Sequence, residues 1–292
     1  MPKTNLKHYL HLHFIVFIWG FTAILGALIT IDAIPLVWYR MLLAVIVLFI
    51  YFLFKKKNLK VPPKTLVKFF IGGVLIALHW IAFFTAIKVS NVSVALVSMS
   101  TGALFTSFIE PVFFKRRINF IEFIFGIIVI SGLYIIFNVE NDYTLGIIYA
   151  LIASFLSALF TVINGLFVKQ NDASTISFYQ LLFGVLFITV YILFSTGFTV
   201  QNFTLTNNDI IYLIILSTIC TAYAFIVSVD IMKYLTPYTV MLTINLEPVY
   251  GIILAVLIFG EAEKMTPQFY LGAAIIFVTV VVNGLIKNKK ST

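Results

Sequence analysis

The residues of this chain best placed for chemistry are the few ionisable groups inside long apolar runs. Glu247 lies near the middle of the run 237–259 and is followed by Pro248. A carboxylate there can hold a proton or meet a cation. Proline removes a backbone donor and leaves the Ile244 carbonyl without its helical partner, a built-in weak point. Asn245 adds an amide two residues earlier. His79, followed by Trp80, sits near the centre of the run 69–87, where an imidazole can change charge or hydrogen-bond a substrate. Arg40 lies about five residues inside the run 35–54. Its guanidinium can snorkel outward along its stem, or turn inward to an anionic substrate or to Glu247. In hydrocarbon such groups are costly and are functional candidates by default. Each also has a structural alternative: a kink beside a protonated Glu, a core histidine with one partner, an interfacial arginine.

These groups must be positioned by helices. Of the 292 residues 62% are hydrophobic and 10% charged, with a mean hydropathy of +1.10. A soluble domain is about half apolar and a quarter charged, so one core cannot hide this much apolar surface. Ten runs near the length of about 20 residues needed to cross a bilayer occur at 9–29, 35–54, 69–87, 92–114, 119–137, 145–168, 175–196, 210–231, 237–259 and 267–286. Backbone in lipid must pair internally, which makes runs of this length helices. The first run exceeds the ~7–15 residues of a secretory signal core and no clear cleavage site follows, so it reads as a retained helix. The expected fold class is an all-α membrane protein of ten spans.

The net charge of +8 does not indicate nucleic acid, because the basic residues flank the runs instead of forming one stripe. They read as topology signals. With the N-terminus inside, only Lys88 and Lys264 fall on outer flanks and Arg40 lies within a span, while the other Lys and Arg gather inside. Both termini are then cytoplasmic. The single cysteine, Cys220, and four scattered histidines exclude a disulfide framework and give no metal-ligand spacing. Neither a phosphate-binding loop nor a hydrolase or zinc motif occurs, so no cofactor and no enzymatic activity are expected.

The two halves resemble each other. WYRMLLAVIVLFIYFLF from Trp38 matches FYQLLFGVLFITVYILF from Phe178 at an offset of 140, placing Arg40 on Gln180. An offset of 146 aligns the fourth and fifth spans with the ninth and tenth. It sets Gly102 opposite Pro248, Ser93 opposite Thr239 and Gly126 opposite Gly272. Five spans per half inverts the second half, giving repeats at 1–138 and 139–292. Inverted repeats with matched Gly/Pro weak points are a construction of secondary transporters, with the binding site near the breaks. Small polar residues at helical spacing support a wet interior: Ser154, Ser157, Thr161 and Asn164; Ser217, Thr221 and Ser228; Thr239 and Thr243. Close helix packing is their other reading. Glu110-Pro111 lies near the inner end of its run and reads as structural, and Trp19 as cavity-lining or packing.

LEPVYGIILAVLIFGEAEKMTPQFYLGAAIIFVTVVV from Leu246, WYRMLLA from Trp38 and ALHWIAFFTAIKVSNVSVAL from Ala77 are similar to segments of the drug/metabolite transporter superfamily. Within it the chain resembles the EamA-type permeases, over essentially its whole length as two repeats. The family's residues fall on Arg40, Pro248, Gly260, Glu261 and Gly272. The first half departs by carrying Phe114-Lys115 where the second has Gly260-Glu261, which reads as a structural turn. The resemblance implies a ten-helix carrier in a bacterial inner membrane, commonly an exporter of amino acids or other metabolites. The expectation is alternating access around a cavity lined by Arg40, His79, Trp80, Asn245 and Glu247. His79 or Glu247 is placed to carry a coupling proton, although facilitated diffusion needs neither. A channel is the alternative, and a membrane enzyme or scaffold a more distant one.

Overall fold

The computed structural model describes residues 3–115, 117, 120–139, 141–195 and 197–290. The described residues are helical, joined by short connections, and contain no strand. The helices are α1 (Lys3–Leu28), α2 (Ala33–Lys55), α3 (Pro63–Val89), α4 (Val92–Met99), α5 (Gly102–Phe113), α6 (Phe120–Val139), α7 (Thr144–Phe167), α8 (Ala173–Phe194), the short α9 (Val200–Phe203), α10 (Asn207–Ser217), α11 (Ala224–Ile231), α12 (Pro237–Ile244), α13 (Glu247–Phe259) and α14 (Pro267–Lys290). Taking α4 with α5, α10 with α11 and α12 with α13, eight of these elements are long and apolar enough to cross a bilayer. The runs at 119–137 and 267–286 are also helical where described, but their apolar stretches, Ile124–Asn138 and Pro267–Thr279, are shorter.

Three of the long helices are interrupted, each for a local reason. Between α12 and α13 the missing N–H of Pro248 leaves a one-turn fault, with Leu246 N reaching Thr243 O at 3.0 Å. Between α4 and α5 there is no proline. There the Ser100 and Thr101 hydroxyls turn back to the carbonyls of Leu96 (3.3 Å) and Ser98 (2.8 Å), and Gly102 opens the next segment. Between α10 and α11 the chain widens into a π-helical turn, Thr218–Tyr223, where the Thr221 hydroxyl donates to Leu216 O five residues back at 2.6 Å.

A large apolar core binds α1, α2, α3, α7, α8 and α11 together. A smaller cluster joins α4 and α5 to α6, α12 and α14. Outside these, large apolar side chains face outward; Phe54 is 84% and Phe194 89% exposed. Apolar surface on this scale suits hydrocarbon and not water. Small residues let backbones approach where helices cross. A Cβ on Gly272 would sit 2.8 Å from Gly132 O, and one on Gly132 would sit 3.0 Å from Gly272 O, at the contact of α6 with α14.

Candidate functional site

Where the interrupted helices meet, they enclose a cavity of about 70 Å³. This exceeds the ~10–15 Å³ that one water needs, so the cavity admits several waters. Its wall takes Trp19 and Thr22 from α1, Arg40 from α2, His79 and Trp80 from α3, Ser157 and Thr161 from α7, Cys220 from the π turn, and Glu247 from the start of α13.

Arg40 does not snorkel outward. It is 1% exposed, with its guanidinium 3.9 Å from the centroid of the Trp80 ring and 5.4 Å from that of Phe84. Its Nε donates to the Thr221 hydroxyl at 2.6 Å. Placing a charge in so dry a site is costly unless its donors and its field are answered. The indole face and Thr221 do part of that. Nη1 has no hydrogen-bond partner among the described residues. Arg40 and Glu247 form no direct ion pair, although both line the cavity. The pair therefore brackets the cavity without closing on itself.

His79 is 7% exposed, and its Nδ1 lies 2.8 Å from Ala153 O. A carbonyl can only accept, so Nδ1 carries the proton and Nε2 is left as the acceptor of the neutral ring. Glu247 is the first residue of α13 and Pro248 the second, so the carboxylate stands at a helix N-terminus, where the backbone dipole favours negative charge. Asn245 lies beside the cavity instead of on it, lining a void of about 10 Å³ with Glu247 and Pro248. Gly102 lines neither; it is the first residue of α5, packed against Met241 and Ser154.

One contributor was not singled out from sequence. Thr221 was visible only as one of several small polar residues, yet it fixes Arg40. The π turn that presents it has no signal in composition. Trp19 lines the wall and its Nε1 donates to Cys220 O at 3.0 Å. Among the described residues no cluster of His, Cys, Asp and Glu could hold a metal ion.

Carboxylates tie the two halves of the chain together at both ends of the helices. Asp209, fully buried, accepts from Thr30 N and Thr30 Oγ1, both at 2.7 Å, besides closing the capping box with Thr206. Glu263 accepts from Val92 N and Ser93 N, each at 2.9 Å, at the start of α4. At the opposite end Glu110 accepts from Tyr238 N at 3.1 Å, at the start of α12. There Lys57 also donates to Asp172 and to Ser174, both at 2.8 Å. Burial would raise the Asp172 pKa, but the bonds from Lys57, Ser174 and Thr175 outweigh it and bring it down to about 2. The turn after α13 holds Gly260 at φ 60°, and Glu261 pairs with Lys264 outside the cavity.

The EamA-like transporter family model matches residues 7–138 and 144–285. An uncharacterized transporter from Clostridium kluyveri is 25% identical over 248 residues, spanning 81% of this chain and 78% of that protein. A solved crystal structure, 13% identical, has the same fold with a TM-score of 0.69, over 96% of this chain and 98% of that one.

Proposed function

We propose, from the premise that the chain belongs to the EamA-like transporter family, that this multi-pass membrane transporter of small solutes is a secondary carrier working by alternating access. Ten helices cross the plasma (inner) membrane of a bacterium with both termini cytoplasmic, as repeats 1–138 and 139–292 of opposite polarity. Reciprocal contacts support that symmetry. Tyr39 and Tyr179, related by the offset of 140, each donate a hydroxyl to a carbonyl in the connection beyond the other's helix, Phe203 O at the end of α9 at 2.9 Å and Leu59 O at 2.6 Å. Glu263 and Glu110 each cap the start of a helix in the opposite half.

One observation carries the substrate reading. A basic group from the first half and a carboxyl group from the second, Arg40 and Glu247, line one cavity without pairing. A zwitterion answers both: its carboxylate meets the unpaired Arg40 donor, its ammonium meets Glu247, and its side chain lies among Trp19, Phe83, Phe160 and Phe225. The substrate is then an amino acid or similar compound, and the family resemblance favours export. His79 or Glu247 carries the coupling proton.

The test is counterflow in proteoliposomes against a panel of radiolabelled amino acids. Saturable exchange that is lost in Arg40→Ala supports the reading. Unsaturable flux indifferent to the trans substrate would replace the carrier with a channel. A Glu247→Gln variant with unchanged rate and pH profile removes Glu247 from coupling, and His79→Ala is read the same way.

A further inference from the structure

A second, larger cavity of about 590 Å³ lies away from the centre, between the start of α3 and the ends of α5 and α7. Its lining is sorted by depth. Thr65 and Lys68 on α3, with Lys169 and Gln170 after α7 and Phe113 at the end of α5, hold the mouth; Ile71 on α3 and Ile163 on α7 line the part nearer the helix interiors. From Ile163 to Lys169 is six residues, about 9 Å along a helix, so the wall passes from hydrocarbon-like to cationic within the depth of a headgroup region. Among the described residues no acidic one lines it.

The two lysines are not neutralised. Lys57 and Lys233 at this basic end have carboxylate partners in Asp172 and Asp230. Lys68 has no ion-pair partner among the described residues, and Lys169 has only the face of Phe114, at 4.8 Å. Two uncompensated cations above an apolar slot match a molecule with an anionic head and a hydrocarbon tail. Basic pockets between membrane helices take acidic lipid headgroups for this reason. We infer that this cavity is a binding site for one anionic phospholipid, its phosphate between Lys68 and Lys169 and an acyl chain along Ile71 and Ile163.

The experiment equilibrates purified protein with equimolar phosphatidylglycerol and phosphatidylcholine and counts bound lipid by native mass spectrometry. Each lysine near an anionic headgroup is worth about fivefold, so Lys68→Ala with Lys169→Ala lowers the phosphatidylglycerol preference by about 25-fold. Lys68→Arg with Lys169→Arg retains it. Lys55→Ala with Lys56→Ala removes two neighbouring charges of the same sign and leaves the preference intact. An unchanged preference in the first double variant overturns the site, as does an equal loss in the Lys55/Lys56 control, which would reveal diffuse attraction only. Inorganic phosphate in large excess leaves the lipid bound; displacement by phosphate would overturn the lipid assignment.

Discussion

Asp209 offers a quantitative test of alternating access, because the chain carries its own reporter. Cys220 is the single cysteine, is 2% exposed and lines the central cavity. A thiol reagent reaches it only when the cavity opens. Asp209 makes two kinds of bond. Those to Thr206 are local and persist whichever way the halves sit. Those to Thr30 N and Oγ1 cross between the halves, and break if that end parts. A hydrogen bond to a charged group contributes about 1.5–3 kcal/mol net. In Asp209→Asn one oxygen remains to accept from Thr30 N, so the expected loss is about 2 kcal/mol. That raises the ratio of open to closed forms about 30-fold. The labelling rate of Cys220 by an impermeant methanethiosulfonate added from that side rises in proportion, and a Cys220→Ser control is silent. Thr30→Val removes the hydroxyl but keeps the N–H, for about 1 kcal/mol and about fivefold. The two substitutions together give less than the product of their effects, since they act on one contact. A Cys220 labelling rate in Asp209→Asn within twofold of the parent protein would refute the assignment of this contact as a closure.

Arg40→Lys keeps the charge but loses the flat guanidinium that stacks on Trp80 and reaches Thr221; counterflow falls at least about tenfold while expression holds. Gly272→Ala pushes a methyl toward the Gly132 carbonyl and, as an overpacked contact, costs about 1–3 kcal/mol, read as a lower thermal midpoint in detergent. Asp172 has a folded pKa of about 2 against an ordinary value of 3.8. Its contribution is therefore present above pH ~4 and lost as pH falls toward 2. With Lys57 and Asp172 one-third and one-half exposed, the effect stays below about 1 kcal/mol. Asp172→Asn flattens the thermal stability of the protein against pH in that window.

Much of this protein is legible from its sequence. Each of the ten apolar runs falls on one helix or on an interrupted pair of helices where the residues are described, because hydrogen-bond closure in lipid favours helix over such lengths. The break before Glu247 also follows locally, since a proline without an N–H disrupts its own helix whatever surrounds it. The all-helical class and the family follow from the same local signals repeated in order.

Only the tertiary structure decided where the polar groups point and what they meet. These helices are apolar on nearly every side, so hydropathy carries no record of which face turns inward, and Arg40 had two directions open to it. Its partners Trp80 and Thr221 lie 40 and 181 residues away, and Asp209 meets Thr30 across 179. The ionisable groups in the runs marked the candidates, because burying them is costly. Which of them share the cavity was set by the rotation of each helix against its neighbours, a property of packing that composition and spacing do not encode.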